Sequence, residues 1–115
     1  MRMLDRIALL IVLILGIGHV VATIRYTPGV NEAAAWFSGS GLALLFAGLL
    51  NLARLRTKEN APRRLCVLAN LLTLAWLGLV LAVLPAVQAF LAAGAVLAMT
   101  IGALVQRRAA PASEG

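Results

Sequence analysis

The stretch LCVLANLLTLAWLGLVLAVLPAVQAFLAAGAVLAMTIGALV, residues 65–105, runs without a charged residue and carries one proline, Pro85, at its middle. As a single helix rising about 1.5 Å per residue it would be about 60 Å long, twice the thickness of a hydrocarbon core. It must therefore fold back on itself. A proline suits the first turn of a new helix, so Pro85 is expected to open the second arm of a tight helical hairpin. The arms are Leu65–Leu84 and Ala86–Val105. Two further apolar runs precede them, Ile7–Ile24 and Ala33–Ala53. Each run is about 18–21 residues, the length that spans a bilayer core.

The expected fold is all-α: a transmembrane four-helix bundle in one domain, residues 1–108, with spans about 7–24, 33–53, 65–84 and 86–105. The small polar tail, 109–115, is expected to be disordered. The composition agrees, being 63% hydrophobic and 12% charged, where a soluble domain carries about a quarter charged residues. The one cysteine, Cys66, cannot form an intrachain disulfide and reads as an inert buried thiol.

The net charge of +6 points to membrane orientation and not to nucleic acid, because of where the charges fall. Arg2 and Arg6 precede the first run. Arg54, Arg56, Lys58, Arg63 and Arg64 lie between the second and third. Arg107 and Arg108 follow the fourth. With four spans all three clusters fall on one side, and basic span ends stay cytoplasmic. Both termini are expected in the cytoplasm. The basic central connector is a candidate surface for anionic lipids. The first run begins after basic residues and Val20-Val21-Ala22 resembles a cleavage site. Its apolar core exceeds the 7–15 residues usual in a signal peptide, so it is expected to stay as a span.

In lipid, helices associate through small residues and polar glue, so such stripes should mark the inward faces. The stripes read as Gly16, His19 and Thr23; Trp36, Ser40, Ala43, Ala47 and Asn51, with Gly41 and Gly48 on an adjoining face; Cys66, Asn70, Thr73 and Leu77; and Gln88, Ala92, Ala95, Met99 and Gly102. By depth, His19, Ser38, Ser40 and Gln88 form an outer polar layer, with Trp36 at the interface. Asn51, Asn70 and Thr100 form an inner one. Only Thr73 lies between, which disfavours a conducting path through one chain. Asn31 should cap the second helix and Asn60 the third, and Pro28-Gly29 suits a type II turn with Gly29 at positive φ.

His19 is read as the only ionisable group well inside a span, and such residues are functional candidates. The candidate ligand-binding set is His19, Ser38, Ser40, Trp36 and Gln88. The expected packing set is Asn51, Asn70, Thr73 and Thr100. No metal site, catalytic residue or cofactor is expected: there is no phosphate-binding glycine loop, carboxylate pair, metal-ligand cluster or nucleophile–base pair by spacing.

The segments Gly18-His19 and Trp36-Phe37-Ser38-Gly39-Ser40-Gly41-Leu42-Ala43-Leu44-Leu45-Phe46-Ala47-Gly48-Leu49-Leu50-Asn51 resemble small, uncharacterised bacterial four-helix membrane proteins, broadly DoxX-like. The resemblance covers about the first half of the chain. It implies a bacterial inner-membrane protein with little assigned chemistry. The size is also similar to that of the small multidrug-resistance transporters, but the glutamate those carry in the first helix is missing here. The reading is a non-enzymatic bundle, acting as a partner subunit or lipid-interacting module. The alternatives are a small dimeric transporter with its site around His19, and a membrane enzyme or redox subunit using His19 as a ligand. Expected partners are the lipid bilayer and either a second copy or a larger membrane complex.

Overall fold

The computed structural model describes residues 2–106; the expected tail, 109–115, and the cluster Arg107–Arg108 lie outside the described residues. Four helices follow in order: α1 (Arg2–Tyr26), α2 (Glu32–Arg56), α3 (Asn60–Val83) and α4 (Val87–Val105). All four are long and apolar enough to cross a membrane. Each of the first three runs past its apolar stretch, because helical hydrogen bonding continues through flanking charged residues of good propensity. That extension brings Asp5 into α1 and Arg54 into α2.

Short connections make each helix antiparallel to the next. The packed pairs are α1–α2, α2–α3, α3–α4 and α4–α1, so the bundle closes as a ring. One end of it holds the start of α1, the α2–α3 link and the finish of α4. We call it the network end. The other, the proline end, holds the links at Pro28 and Pro85.

The links follow from local chemistry. Gly29 takes φ 75°, which the Pro-Gly pair provides at no side-chain cost. Asn31 caps α2, its side-chain oxygen accepting the Ala34 N–H at 2.8 Å. Asn31→Ala should lower stability by about 1 kcal/mol, readable as a drop in the detergent unfolding midpoint. Two expected helix starts differ. Asn60 is already the first residue of α3, and Glu59 occupies the N-cap without a side-chain bond. Pro85 does not open α4 but sits in the link before it. A residue preceding proline is disfavoured in the α region, and Leu84 accordingly takes φ −141° and ends α3. The Ala86 N–H then bonds the Leu84 carbonyl at 2.8 Å, a γ-turn about Pro85. With Ala86 extended, α4 begins at Val87.

The core is thin and built of small side chains: Ala8, Val12, Leu44, Leu77, Ala92, Ala95, Val96 and Met99. Large apolar side chains such as Leu10, Ile14, Phe46, Leu72, Leu79, Phe90 and Leu97 face outward instead. A soluble bundle would bury these, whereas lipid solvates them. The α1–α2 contact is the closest. A Cβ built on Gly41 would lie 2.8 Å from the Gly16 carbonyl oxygen, and one on Gly16 would lie 2.9 Å from that of Gly41. The two backbones touch there because neither residue has a side chain.

The inward face of α2 differs from the expected stripe. Ala34, Gly41, Leu44, Ala47, Gly48, Asn51 and Arg54 are buried, while Trp36 and Ala43 are exposed. The glycine face wins because it lets α1 approach. On α4, Ala92, Ala95, Met99 and Gly102 are buried as a stripe, but Gln88 is exposed. Gln88 is the second residue of α4 and points away from the bundle, while the next residue, Ala89, is buried.

Candidate functional site

The densest polar chemistry lies at the network end. Asp5 follows four residues before Leu9 and seven before Val12, which places it on the buried face of α1. Arg54 follows Asn51 by three and Ala47 by seven, on the buried face of α2. The two meet across the helix pair. Arg54 Nη2 donates to Asp5 Oδ1 at 2.5 Å. The residues are 1% and 4% exposed, so the ion pair is removed from solvent.

Further bonds complete the cluster. Arg54 Nη1 donates to Gln106 Oε1 at 3.0 Å, and Arg54 Nε donates to Asn51 Oδ1 at 3.2 Å. Asn51 Nδ2 donates to Asn70 Oδ1 at 2.7 Å and to the Ala47 carbonyl at 2.9 Å. Asn70 Nδ2 returns to Asn51 Oδ1 at 3.3 Å. Gln106 Nε2 reaches the Thr57 carbonyl at 3.4 Å. The guanidinium thus bonds residues on α1, α2 and the end of α4 at once, and Asn51 carries the chain of bonds to α3. Gly102 makes room for it: a Cβ there would stand 2.5 Å from Asp5 Oδ2. Cys66 Sγ donates to the Leu50 carbonyl at 2.9 Å beside the cluster.

His19 is therefore not the only buried-region ionisable group; Asp5 and Arg54 are more enclosed. The physical reason is the extension of α1 and α2 past their apolar runs. A planar guanidinium makes the arrangement possible, since its fixed fork serves three acceptors in different directions. A buried pair of this kind offsets the desolvation of both charges only with such additional bonds.

The proline end is arranged differently. His19 is half-buried, its ring stacked on Phe37 with centroids 4.7 Å apart and planes 29° apart. Its Nδ1 lies 2.9 Å from the Leu15 carbonyl oxygen, an acceptor, so Nδ1 carries a proton. Ser38 Oγ donates to Ala35 O and Ser40 Oγ to Trp36 O, both within α2. Trp36 Nε1 bonds Glu32 on the surface at 3.4 Å. Gln88 is exposed on α4. Among the described residues no side-chain hydrogen bond joins these five across helices.

A depression of about 420 Å³ does open at this end, between α1, α2 and their link. Val20, Thr23, Ile24, Val30 and Ala34 line it, and Ser38 is the member of the candidate set on its wall. The Thr23 hydroxyl is turned back to the His19 carbonyl at 2.8 Å. The lining is mostly apolar, and the Thr23 and Ser38 hydroxyls on it are bonded within their own helices. Thr73 and Thr100 likewise bond carbonyls of their own helices, Ala69 and Val96. Of the four packing residues, Asn51 and Asn70 are the two that bond across helices.

Comparison with known proteins returns no matching family model, no matching curated protein and no matching solved structure. The reading of function accordingly rests on the chain's own geometry.

Proposed function

We propose that the chain is a multi-pass protein of a bacterial inner membrane with both termini cytoplasmic, and that it acts as a non-enzymatic bundle: a partner subunit or lipid-interacting module. The observation that carries this is the division of its polar groups. The side chains buried at the network end, Asp5, Asn51, Arg54 and Asn70, are bonded to one another, and large apolar side chains face outward on all four helices. A catalyst or carrier keeps polar groups free to meet a ligand. Here they are engaged in holding helices together. The basic residues near the network end give the orientation, by the same rule that places basic span ends in the cytoplasm. The likeness of Gly18-His19 and Trp36–Asn51 to DoxX-like proteins is in keeping with this reading.

The dimeric transporter draws less support, because the Ser38 and Ser40 hydroxyls are bonded within α2 and the neighbouring depression is lined mostly by apolar residues. Reconstitution separates the two. The purified protein, in vesicles holding a trapped pH dye, should leave an imposed proton gradient to decay at the rate of empty vesicles. Faster decay that His19→Ala abolishes would replace the subunit reading with the transporter.

A further inference from the structure

From the charge left over at the network end we infer that the α2–α3 link is a binding site for an anionic phospholipid headgroup, with Arg56, Lys58, Arg63 and Arg64 holding its phosphate. The inference rests on the membrane reading above and names the lipid that this end selects.

The count of charges comes first. Arg54 is spoken for by Asp5. That leaves Arg2, Arg6, Arg56, Lys58, Arg63 and Arg64 as cations near this end. Against them the described residues there set one carboxylate, Glu59. Cations gathered at one end of a bundle repel one another unless an anion from outside joins them.

Geometry then separates the four link cations from the two at the start of α1. The link is only residues 57–59, so Arg56 and Lys58 stay within a turn of the span ends. It is also pinned. The Thr57 carbonyl accepts from Gln106, its N–H bonds the Arg54 carbonyl, and its hydroxyl oxygen accepts the Glu59 N–H. Arg54 and Asn70 anchor the adjoining helices in the buried cluster. The cations are therefore carried on a fixed frame at headgroup depth.

One of them has an enclosed donor without an acceptor. Arg63 Nε is buried and has no hydrogen-bond partner among the described residues. A buried guanidinium donor left unmade is costly. A phosphate diester is a suitable acceptor, matching guanidinium geometry and carrying the missing charge. Basic groups between helices on this side of a membrane are suited to such headgroups.

The test uses the full chain in phosphatidylcholine vesicles at 0.15 M salt, where diffuse attraction is screened beyond about 8 Å. Spin-labelled phosphatidylglycerol is titrated in, and its motionally restricted fraction gives its affinity relative to spin-labelled phosphatidylcholine. Arg63→Gln should weaken the preference about five-fold, and Arg56→Gln with Lys58→Gln about thirty-fold. Arg2→Gln with Arg6→Gln removes the same charge from the start of α1, outside the link, and should change it less than five-fold. Equal losses in the two double variants, or no loss in either, would overturn the site while leaving the membrane reading intact. Helicity by circular dichroism shows that each variant is folded, and Arg63→Gln alone decides if a double variant is not. Failure of the parent to resist carbonate extraction would instead overturn the membrane reading.

Discussion

Asp5→Ala is expected to destabilise the bundle by about 3–5 kcal/mol, because it leaves the Arg54 guanidinium enclosed without its counter-charge. Arg54 is 1% exposed and sits between α1, α2 and the end of α4, so it has no route to solvent without moving a helix. Arg54→Met should cost a similar amount by stranding the Asp5 carboxylate against Gly102. The informative variant is the double one. With both charges removed, desolvation is relieved on both sides, and buried pairs are often replaced by apolar side chains at little cost. Asn51 keeps its bonds to Asn70 and Ala47, so the remaining losses are the Arg54 bonds to Gln106 and to Asn51 Oδ1. Asp5→Ala with Arg54→Met should lie within about 2 kcal/mol of the parent, well above either single variant. Unfolding in mixed micelles, followed by tryptophan fluorescence, measures the cycle. Strict additivity of the two single effects would mean the charges do not act as a pair.

The second large effect is expected where α1 and α2 touch. Gly41→Ala places a Cβ 2.8 Å from the Gly16 carbonyl oxygen and 2.8 Å from the His19 Cβ. Neither is the free end of a flexible side chain, so the helices must separate. Overpacking of this kind costs about 1–3 kcal/mol. Gly39→Ala, two residues earlier, meets nothing within 4 Å and faces outward. It should be neutral or gain up to about 1 kcal/mol from helix propensity. The substitution is chemically the same and the helix is the same, so the difference reports the backbone contact alone. Equal effects at Gly39 and Gly41 would remove the close approach from the account.

Much of the architecture is legible in the residues themselves. The charge-free run from Leu65 to Val105 exceeds one span and holds one proline, which leaves folding back as the solution. The stripe from Cys66 through Asn70 to Leu77 marks the inward face of α3, since polar and small groups in lipid turn toward other helices. Tight-turn chemistry at Gly29 and the cap at Asn31 are equally local.

The buried pair is harder to see. Asp5 continues the Gly16–His19–Thr23 face of α1 toward the start of the chain, and Arg54 continues the Ala47–Asn51 face of α2 by one further turn. Extending both stripes past the apolar runs would have brought an acid and a base to one end of neighbouring helices. Charges flanking a span ordinarily serve orientation, and that general rule obscures the particular pair. Trp36 and Ser40 misled in the opposite way. They share a helical spacing with Ala47 and Asn51, but the α1 contact is made by the glycines beside them. Periodicity gives the faces of a helix; the closest approach of two backbones decides which face turns inward.

The central claim is a four-span bundle with the Asp5–Arg54 cluster at its cytoplasmic end. Reporter fusions test it most directly: one at Met1, one inserted after Gly29, one after Lys58, one after Pro85 and one at Gly115, each active on only one side of the membrane. The account predicts cytoplasmic activity at Met1, Lys58 and Gly115, and activity on the far side at Gly29 and Pro85. A cytoplasmic signal at Pro85, or termini reporting opposite sides, would contradict it.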